Sequence, residues 1–239
     1  MSGRLVVVGV GPGDPELMTL KAARIVAAAP VVAFFAKRGS PGNARTIAGA
    51  LVRAEAEELR LDYPFTTELP REDSRYCEAL DRFYDDAASA LAARLEAGQD
   101  VALLCEGDPF FYGSSMHIFA RLGAAYPCEV VPGVSAMSGG WSRAHLPLVR
   151  GDTALAVLPG TLSAAALAAR LAGGDAAVIM KVGRNLERIR AALATAGRLD
   201  GAVYVERGTM AGERILPLAA ATEPAPYFSL VLVPARGGA

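Results

Sequence analysis

A glycine-rich turn near the N-terminus has the residue types and spacing of a ligand site. Gly9, Gly11 and Gly13 stand at alternating positions directly after a short aliphatic run. Glycine adopts backbone conformations that other residues avoid, so this spacing predicts a tight turn. Asp14 and Glu16 place negative charge at the start of the next helix, where a phosphate would have to bind. The turn is therefore suited to a neutral or cationic ligand.

The two common nucleotide fingerprints do not fit this turn. A dinucleotide-binding Gly-x-Gly-x-x-Gly motif needs a glycine where this chain has Asp14, and an acidic ribose-binding residue near the end of the second strand. Residues 31–38 read Val-Val-Ala-Phe-Phe-Ala-Lys-Arg and contain no acid. A P-loop needs Gly-Lys-Ser/Thr, which the turn lacks. A turn that only makes a sharp corner remains the alternative.

The aliphatic run and the turn open a predicted parallel α/β sheet. Residues 5–8 predict a buried strand, and Pro15 suits the first position of a helix over 17–29 with Asp14 as its N-cap. The apolar face of that helix is predicted from Leu17, Leu20, Ile25 and Val26. Further strands are predicted at 30–36, 58–62, 101–105 and 128–131, and helices at 43–57, 74–97 and about 115–123.

Two more turns follow apolar strands in the same way, at residues 106–115 and 132–136. Because the carboxyl ends of parallel strands meet at one edge of a sheet, these turns and the first are expected to form a composite pocket. The polar segment 62–73, with Pro64 and Pro70, is predicted to be a mobile flap.

The second half of the chain has a different pattern. Strands are predicted at 153–158, 176–182, 201–206 and 227–233, and helices near 162–172 and 185–196. Hairpin-like connections around Gly208, through 213–218, favour a mixed sheet. We expect two lobes, an N-terminal α/β lobe over 1–132 and a C-terminal α/β lobe over 133–239.

Composition and charge restrict the function classes. The chain has 239 residues, 52% of them hydrophobic, and a formal net charge of -1. General nucleic-acid binding is therefore not expected. No apolar run approaches the roughly 18 residues of a membrane span, and the N-terminus does not resemble a signal peptide. We expect a cytoplasmic protein that binds neither nucleic acid nor membranes.

The cysteines and histidines do not suggest a metal site. Cys77, Cys105 and Cys128 are odd in number and widely spaced, which is typical of reduced thiols and not of a disulfide framework or a zinc site. His117 and His145 have no paired ligand nearby. No metal is expected.

The glycine turns resemble loops of a known family. Gly9-Val-Gly-Pro-Gly-Asp-Pro15, Glu106-Gly-Asp-Pro109 and Val131-Pro-Gly-Val-Ser-Ala136 are similar to the cofactor loops of the tetrapyrrole (precorrin) methyltransferases, which use S-adenosylmethionine. Within that family, five more blocks resemble the members that methylate C20 of precorrin-2 in cobalamin synthesis: residues 36–39, 110–114, 180–183, 204–208 and 227–233. The resemblance covers nearly the whole chain.

The resemblance implies a two-lobed fold, usually a homodimer, with a mainly parallel N-terminal sheet covered by helices on both faces and a mixed C-terminal sheet. It places S-adenosylmethionine, and S-adenosylhomocysteine as its product, in a cleft between the lobes. The residues implied to line the cofactor site are Gly11, Pro12, Gly13, Glu106, Gly107, Asp108, Phe111, Ser135, Ala136, Lys181 and Gly208.

One position departs from a related group in the family. Uroporphyrinogen-III methyltransferases carry a candidate proton-accepting aspartate at the end of the second strand, where this chain has Phe35. The uroporphyrinogen reaction is therefore less expected, and the identity of any base is open.

Three residues are candidates for catalysis. Asp108 is suited to bind the cofactor's amino group or take a proton, or else to cap the turn before Pro109. Lys181 lies within the otherwise apolar run 176–182, where a buried ammonium would need a partner such as a substrate carboxylate, or with a lowered pKa would be suited to shuttle a proton. A lysine extending to solvent at a strand end is the alternative. Tyr227 is suited to a hydrogen bond with substrate, or to a place at the edge of the core.

An acidic tetrapyrrole substrate needs cations around it. Lys37, Arg38 and Arg143 are the candidates, since arginine forks onto carboxylates, and ordinary surface charge is the alternative for each. Tyr112 is a candidate wall for the flat macrocycle. A cobalt-containing tetrapyrrole as substrate, or a non-catalytic tetrapyrrole- or nucleotide-binding module, remain the other interpretations.

Overall fold

The computed structural model describes residues 1–64 and 74–236. Most of the predicted flap, residues 65–73, lies outside the described residues. The chain divides into two compact units, Met1–Ser135 and Ala136–Ala239. None of the helices in the described part of the chain combines the length and the hydropathy that a membrane span requires.

The first unit is built on a parallel sheet. Within its described residues the strands are β1 (Leu5–Gly9), β2 (Val31–Lys37), β3 (Glu57–Tyr63), β4 (Val101–Cys105) and β5 (Cys128–Val131). Their order is β3-β2-β4-β1-β5, and each pairing is parallel. These strands confirm the predicted ones to within a residue or two. Because β1, β2 and β4 are central, their nearly continuous apolar runs are buried on both faces.

Helices cover both faces of this sheet, as expected. Val6 and Val8 of β1 belong to the cluster that includes α1 (Leu20–Ala28) and α2 (Asn43–Ala48). Leu5 and Val7 belong to the opposite cluster, with α3 (Ser74–Glu96) and α4 (Ser115–Leu122). Successive strand residues therefore face opposite layers, and each fully buried valine or leucine contributes about 1.5–3 kcal/mol.

The start of α1 differs from the prediction. The carboxylate of Asp14 accepts the Glu16 N–H at 2.9 Å, but it caps only a short 3-10 turn. The α-helix starts at Leu20, where the hydroxyl of Thr19 accepts the Ala22 N–H at 3.1 Å. Leu20 is 89% exposed, so the predicted apolar face is wrong there. Val26 is buried as predicted, and Ala22, four residues before it, makes the other buried contact of this helix.

The predicted helix over 43–57 is also too long. The α-helix α2 ends at Ala48, because Gly49 takes a left-handed backbone conformation with φ 48°. In contrast, α3 confirms its predicted length, and Gly98 follows it at φ 81°.

The second unit contains a mixed sheet, as predicted. Its described strands are β6 (Leu155–Pro159), β7 (Ala176–Met180), β8 (Val203–Glu206), β9 (Arg214–Pro217) and β10 (Ser229–Val233), in the order β6-β7-β10-β8-β9. Only β6 and β7 pair in parallel, and β8 and β9 form the expected hairpin. Helices α6 (Ala164–Leu171) and α7 (Leu186–Thr195) were predicted.

The helix α5 (Ala136–Arg143) was not predicted. Its sequence contains Gly139 and Gly140, which are poor helix formers, so the local pattern gave little signal. Both glycines are buried, and a Cβ on Gly140 would lie 3.2 Å from Leu230 of β10. Close packing on the sheet therefore accounts for this helix.

Candidate functional site

The turns that follow β1, β4 and β5 contact one another, as the sequence predicted. The N–H of Gly107 donates to the carbonyl oxygen of Gly11 at 2.8 Å, so the first two turns are joined by a backbone bridge. The carboxylate of Asp108 accepts the N–H of Gly133 at 3.2 Å and joins the second turn to the third. We call residues 9–14, 106–115 and 132–135 together the rim.

The rim can close only because glycines stand where its turns meet. A Cβ on Gly133 would lie 2.0 Å from the Gly107 carbonyl oxygen and 2.9 Å from the Gly9 Cα. A Cβ on Gly9 would lie 2.6 Å from the same oxygen. These distances are far below van der Waals contact, so backbone atoms, not side chains, form this part of the surface.

Asp108 holds two turns of the rim in place. One carboxylate oxygen accepts the N–H of Phe110 at 3.0 Å, and the other accepts the N–H of Gly133. The turn-capping role that was the alternative in the sequence is therefore present in the structure. A carboxylate oxygen retains a second lone pair, so its role toward the cofactor or a proton stays a prediction.

Glu106 is half-buried and reaches the start of α2. Burial raises the pKa of its carboxyl, while hydrogen bonds from the Ala44 N–H and the Asn43 side chain act in the opposite direction. The Gly42 N-cap makes no side-chain hydrogen bond to this helix, and Glu106, from another part of the chain, is an acidic group that interacts with its first residues. Sequence spacing gave no signal for this contact, which joins residues about 60 positions apart.

The charges of the rim fit a cation. Its three turns contain the carboxylates of Asp14, Glu106 and Asp108 and contain neither lysine nor arginine. Phosphate groups would find no counter-charge there, whereas a sulfonium or an ammonium would. The residues present thus fit the donor group of S-adenosylmethionine, in agreement with the reasoning from Asp14 and Glu16.

The loop between β4 and α4 presents two of the predicted residues. Tyr112 is 46% exposed and adopts φ 57°, an unusual conformation for a tyrosine, and its ring lies 4.9 Å from that of Phe111. The hydroxyl of Ser115, which is buried, donates to the Pro109 carbonyl oxygen at 2.9 Å and closes the loop beneath them.

Sequence reasoning missed three residues that hold the end of this loop. The hydroxyl of Tyr63, in β3, donates to Ser114 Oγ at 2.5 Å, and the hydroxyl of Tyr84, in α3, donates to the same atom at 3.2 Å. The three residues come from separate elements, and no local motif connects them. Only the fold brings them together.

Two predicted substrate cations stand at the carboxyl end of β2. Lys37 and Arg38 are exposed, and within the described residues no hydrogen bond or ion pair engages their side chains. Arg60 of β3 donates to the carbonyl oxygens of Lys37 and Ser40 at 2.9 and 2.5 Å, which fixes the backbone of this loop. As far as the described residues go, both cations are thus open to an anionic ligand.

Arg143, the third predicted cation, is engaged within the second unit. Its Nε lies 3.0 and 2.9 Å from the two carboxylate oxygens of Glu213, and its Nη2 lies 2.8 Å from one of them. The sequence did not suggest this ion pair, and the role of Arg143 in substrate binding stays a prediction.

The remaining predicted residues of the second unit lie at unusual backbone positions or at the surface. Lys181 is half-buried directly after β7 and has φ 58°, and its carbonyl oxygen accepts Asn185 Nδ2 at 3.0 Å. Gly208 lies in the hairpin loop between Arg207 and Thr209, and these two neighbours have positive φ, as Lys181 does. Tyr227 is 80% exposed and precedes β10, so it is not a core residue.

Two predicted cofactor residues stand at the division of the chain. Ser135 is the last residue of the first unit, and Ala136 is the first residue of the second unit and of α5. Both are partly buried.

The model of the family Tetrapyrrole (Corrin/Porphyrin) Methylases matches residues 4–222. The chain belongs to this family. A precorrin-2 C(20)-methyltransferase from Sinorhizobium sp. is 56% identical over 97% of this tetrapyrrole methylase and 95% of the relative. A cobalt-precorrin-2 C(20)-methyltransferase from Salmonella typhimurium is 33% identical over 98% and 97% of the two chains.

A solved structure supports the fold of this tetrapyrrole methylase. The uroporphyrin-III C-methyltransferase from Thermus thermophilus, in complex with S-adenosylhomocysteine, has a TM-score of 0.65 to it. The two are 24% identical, and the match covers 97% of each chain.

Phe35 marks an apolar position in this family member. It is 8% exposed, and its ring stacks on that of Tyr63 with centroids 5.5 Å apart. The rings of Phe83 and Tyr84 lie about as close, at 6.1 and 6.2 Å. An ionised base would be poorly solvated here, which agrees with the departure noted in the sequence.

Proposed function

We propose that this tetrapyrrole methylase transfers a methyl group from S-adenosylmethionine to C20 of precorrin-2, giving precorrin-3A in cobalamin biosynthesis. The 56% identity to the Sinorhizobium enzyme, over nearly the full length of both chains, is the observation that carries the proposal. The acidic, backbone-lined rim supports it, because a sulfonium is the type of ligand that its charges favour.

The protein's own residues bind the methyl donor and orient it. Gly11, Pro12, Gly13, Gly107 and Phe111 are proposed to hold the donor with main-chain and aromatic contacts. The proposed remaining contacts to the donor come from Glu106, Asp108, Ser135, Ala136, Lys181 and Gly208. S-adenosylmethionine, when bound, supplies an electrophilic methyl group.

The nucleophile belongs to the substrate, so the protein needs no covalent catalysis. The electron-rich C20 carbon forms the new bond to the methyl carbon while the bond from that carbon to sulfur breaks, and C20 then loses its proton. Holding the reacting atoms about 3 Å apart in a dry site supplies much of the rate. Asp108, Lys181 and Tyr227 are the proposed groups that position the substrate or take the proton.

The substrate is proposed to lie against Tyr112, with its carboxylates on Lys37, Arg38 and Arg143. Lys37 and Arg38 are supported best, because both are exposed and no described residue engages their side chains. Arg143 would have to contact the substrate while it is paired with Glu213.

Purified protein incubated with S-adenosylmethionine and precorrin-2 tests the proposal. We expect singly methylated product with the metal-free substrate and less with the cobalt-containing one, since the cobalt-precorrin-2 relative is only 33% identical. A preference for the cobalt-loaded substrate would reassign the substrate. Calorimetry with S-adenosylhomocysteine is the second arm, because a non-catalytic module without a cofactor site should give no heat of binding.

We also propose that the enzyme is a homodimer that acts in the cytoplasm. Sedimentation of the purified protein tests the first part, and fractionation of the producing cells tests the second.

A further inference from the structure

The loop that joins β8 to β9 contains two strained residues, one on each side of a glycine. Arg207 has φ 50° and Thr209 has φ 70°, with Gly208 between them. Positive φ is unfavourable for any residue with a Cβ and most unfavourable for a β-branched residue such as threonine. Such strain persists only where the surroundings impose it.

The side chain of Glu213 helps to hold the backbone of this loop in its strained conformation. One of its carboxylate oxygens accepts the Thr209 N–H at 2.7 Å, and the forked Arg143 contact holds the carboxylate from the other side. Its side chain is only 18% exposed, whereas that of Arg143 is 56% exposed. The hydrogen bond from Arg143 is the main cause that lowers the pKa of Glu213, so the carboxylate is charged at neutral pH.

Backbone hydrogen bonds complete the loop. The N–H of Arg207 donates to the Phe228 carbonyl oxygen at 2.8 Å, and the N–H of Met210 donates to the Arg207 carbonyl oxygen at 2.9 Å. A Cβ on Gly208 would lie 3.0 Å from Val205 Cγ1, so the loop is seated tightly on its own strand. At Thr209 the backbone conformation is thus held by the side chain of another residue, Glu213, and not by backbone hydrogen bonds alone.

We propose that Glu213 is a positioning residue, which holds the loop over 207–209 in the strained form that presents the Gly208 backbone to the methyl donor. This inference rests on the proposed function, in which Gly208 contacts the donor. Arg143 acts in it through Glu213, by orienting the carboxylate.

The binding constant of S-adenosylhomocysteine tests the proposal by calorimetry. Relief of the strain at one residue can change a binding constant about tenfold. We therefore expect Glu213→Ala to weaken binding about tenfold, and Glu213→Gln to weaken it less, since an amide oxygen still accepts the Thr209 N–H. Glu58→Ala is the matched control, because it removes a similar Arg45 fork that holds no strained loop.

A double-mutant cycle with Thr209→Gly separates positioning from a general loss of stability. Glycine adopts φ 70° without strain, so Glu213 should matter less in that background. We expect Glu213→Ala to change affinity less than threefold when Thr209 is already glycine. An equal loss in both backgrounds, or an unchanged affinity in Glu213→Ala, would overturn the proposal. Melting temperatures of all variants show whether the fold survives.

Binding and methylation by the wild-type protein distinguish a failure of the Glu213 proposal from a failure of the proposed function. If the wild-type protein binds S-adenosylhomocysteine and methylates precorrin-2 but the cycle shows no coupling, only the role of Glu213 fails. If the wild-type protein gives no heat of binding, the proposed function itself fails.

Discussion

The substitution Gly133→Ala tests whether the rim depends on the contact between its turns. The new Cβ would lie 2.0 Å from the Gly107 carbonyl oxygen, and real Cβ atoms do not approach closer than 3.0 Å. The third turn must therefore move away from the second by about 1 Å. The neighbouring atoms are backbone, so no side-chain rotation can relieve the clash.

The cost of this displacement has two sources. Overpacking costs about 1–3 kcal/mol. The displaced turn also loses the hydrogen bond from Gly133 to the partly buried Asp108 carboxylate, and a hydrogen bond to a charged group contributes about 1–3 kcal/mol. We expect a loss of about 2–6 kcal/mol in the free energy of unfolding. A loss of about 6 kcal/mol would remove most of the stability of a typical domain. In protein that still folds, a 1 Å misplacement of the site should lower turnover about 100-fold.

Urea unfolding and single-turnover methylation of the same preparations measure both effects. Gly173→Ala is the matched control, since a Cβ there meets nothing within 4 Å and the residue does not have positive φ. We expect the control to keep wild-type stability and turnover. If Gly133→Ala unfolds and turns over like the wild-type protein, the turns do not meet as described and the reasoning about the rim is refuted.

Three further predictions follow from the described residues. Lys37→Ala and Arg38→Ala should raise KM for the tetrapyrrole several-fold without weakening S-adenosylhomocysteine binding; weaker binding of the product would place these cations at the donor instead. Lys181→Ala should lower kcat about tenfold or more and weaken cofactor binding by a smaller factor, whereas unchanged kcat would make it an ordinary strand-end lysine. Glu106→Gln should raise the free energy of unfolding near pH 7, because burial raises the pKa of Glu106 and its ionised form costs stability as pH rises through that pKa. The stability gained by Glu106→Gln should shrink as pH falls toward 4.5, and urea unfolding between pH 4.5 and 7 measures it. A variant that is less stable than the wild-type protein at every pH would contradict this prediction.

Much of the first unit could be read from local patterns. Buried strands of a parallel sheet are continuous apolar runs, and β1, β2 and β4 show this clearly. The meeting of the three turns also followed from the sequence, because topology places the carboxyl ends of parallel strands together whatever their side chains. Helix limits were less certain, as Leu20 and Gly49 show.

Contacts between distant side chains could not be read in this way. The Arg143–Glu213 pair joins residues 70 positions apart, and the Tyr63–Ser114 hydrogen bond joins residues 51 apart. The hydrogen bond from the Gly133 N–H to the Asp108 carboxylate likewise depends on how two loops approach. Charged and hydroxyl side chains accept many partners, so residue type alone does not select one.

By itself, the sequence determined the parallel and mixed sheets, the glycine turns and the acidic character of the rim, because backbone freedom, apolar periodicity and formal charge are properties of local residues. The tertiary structure decided which carboxylates are committed to holding loops, as for Asp108 and Glu213, and which cations have no partner among the described residues, as for Lys37 and Arg38. Those outcomes depend on packing between segments far apart in the chain, where the partner of each group is set by three-dimensional distance.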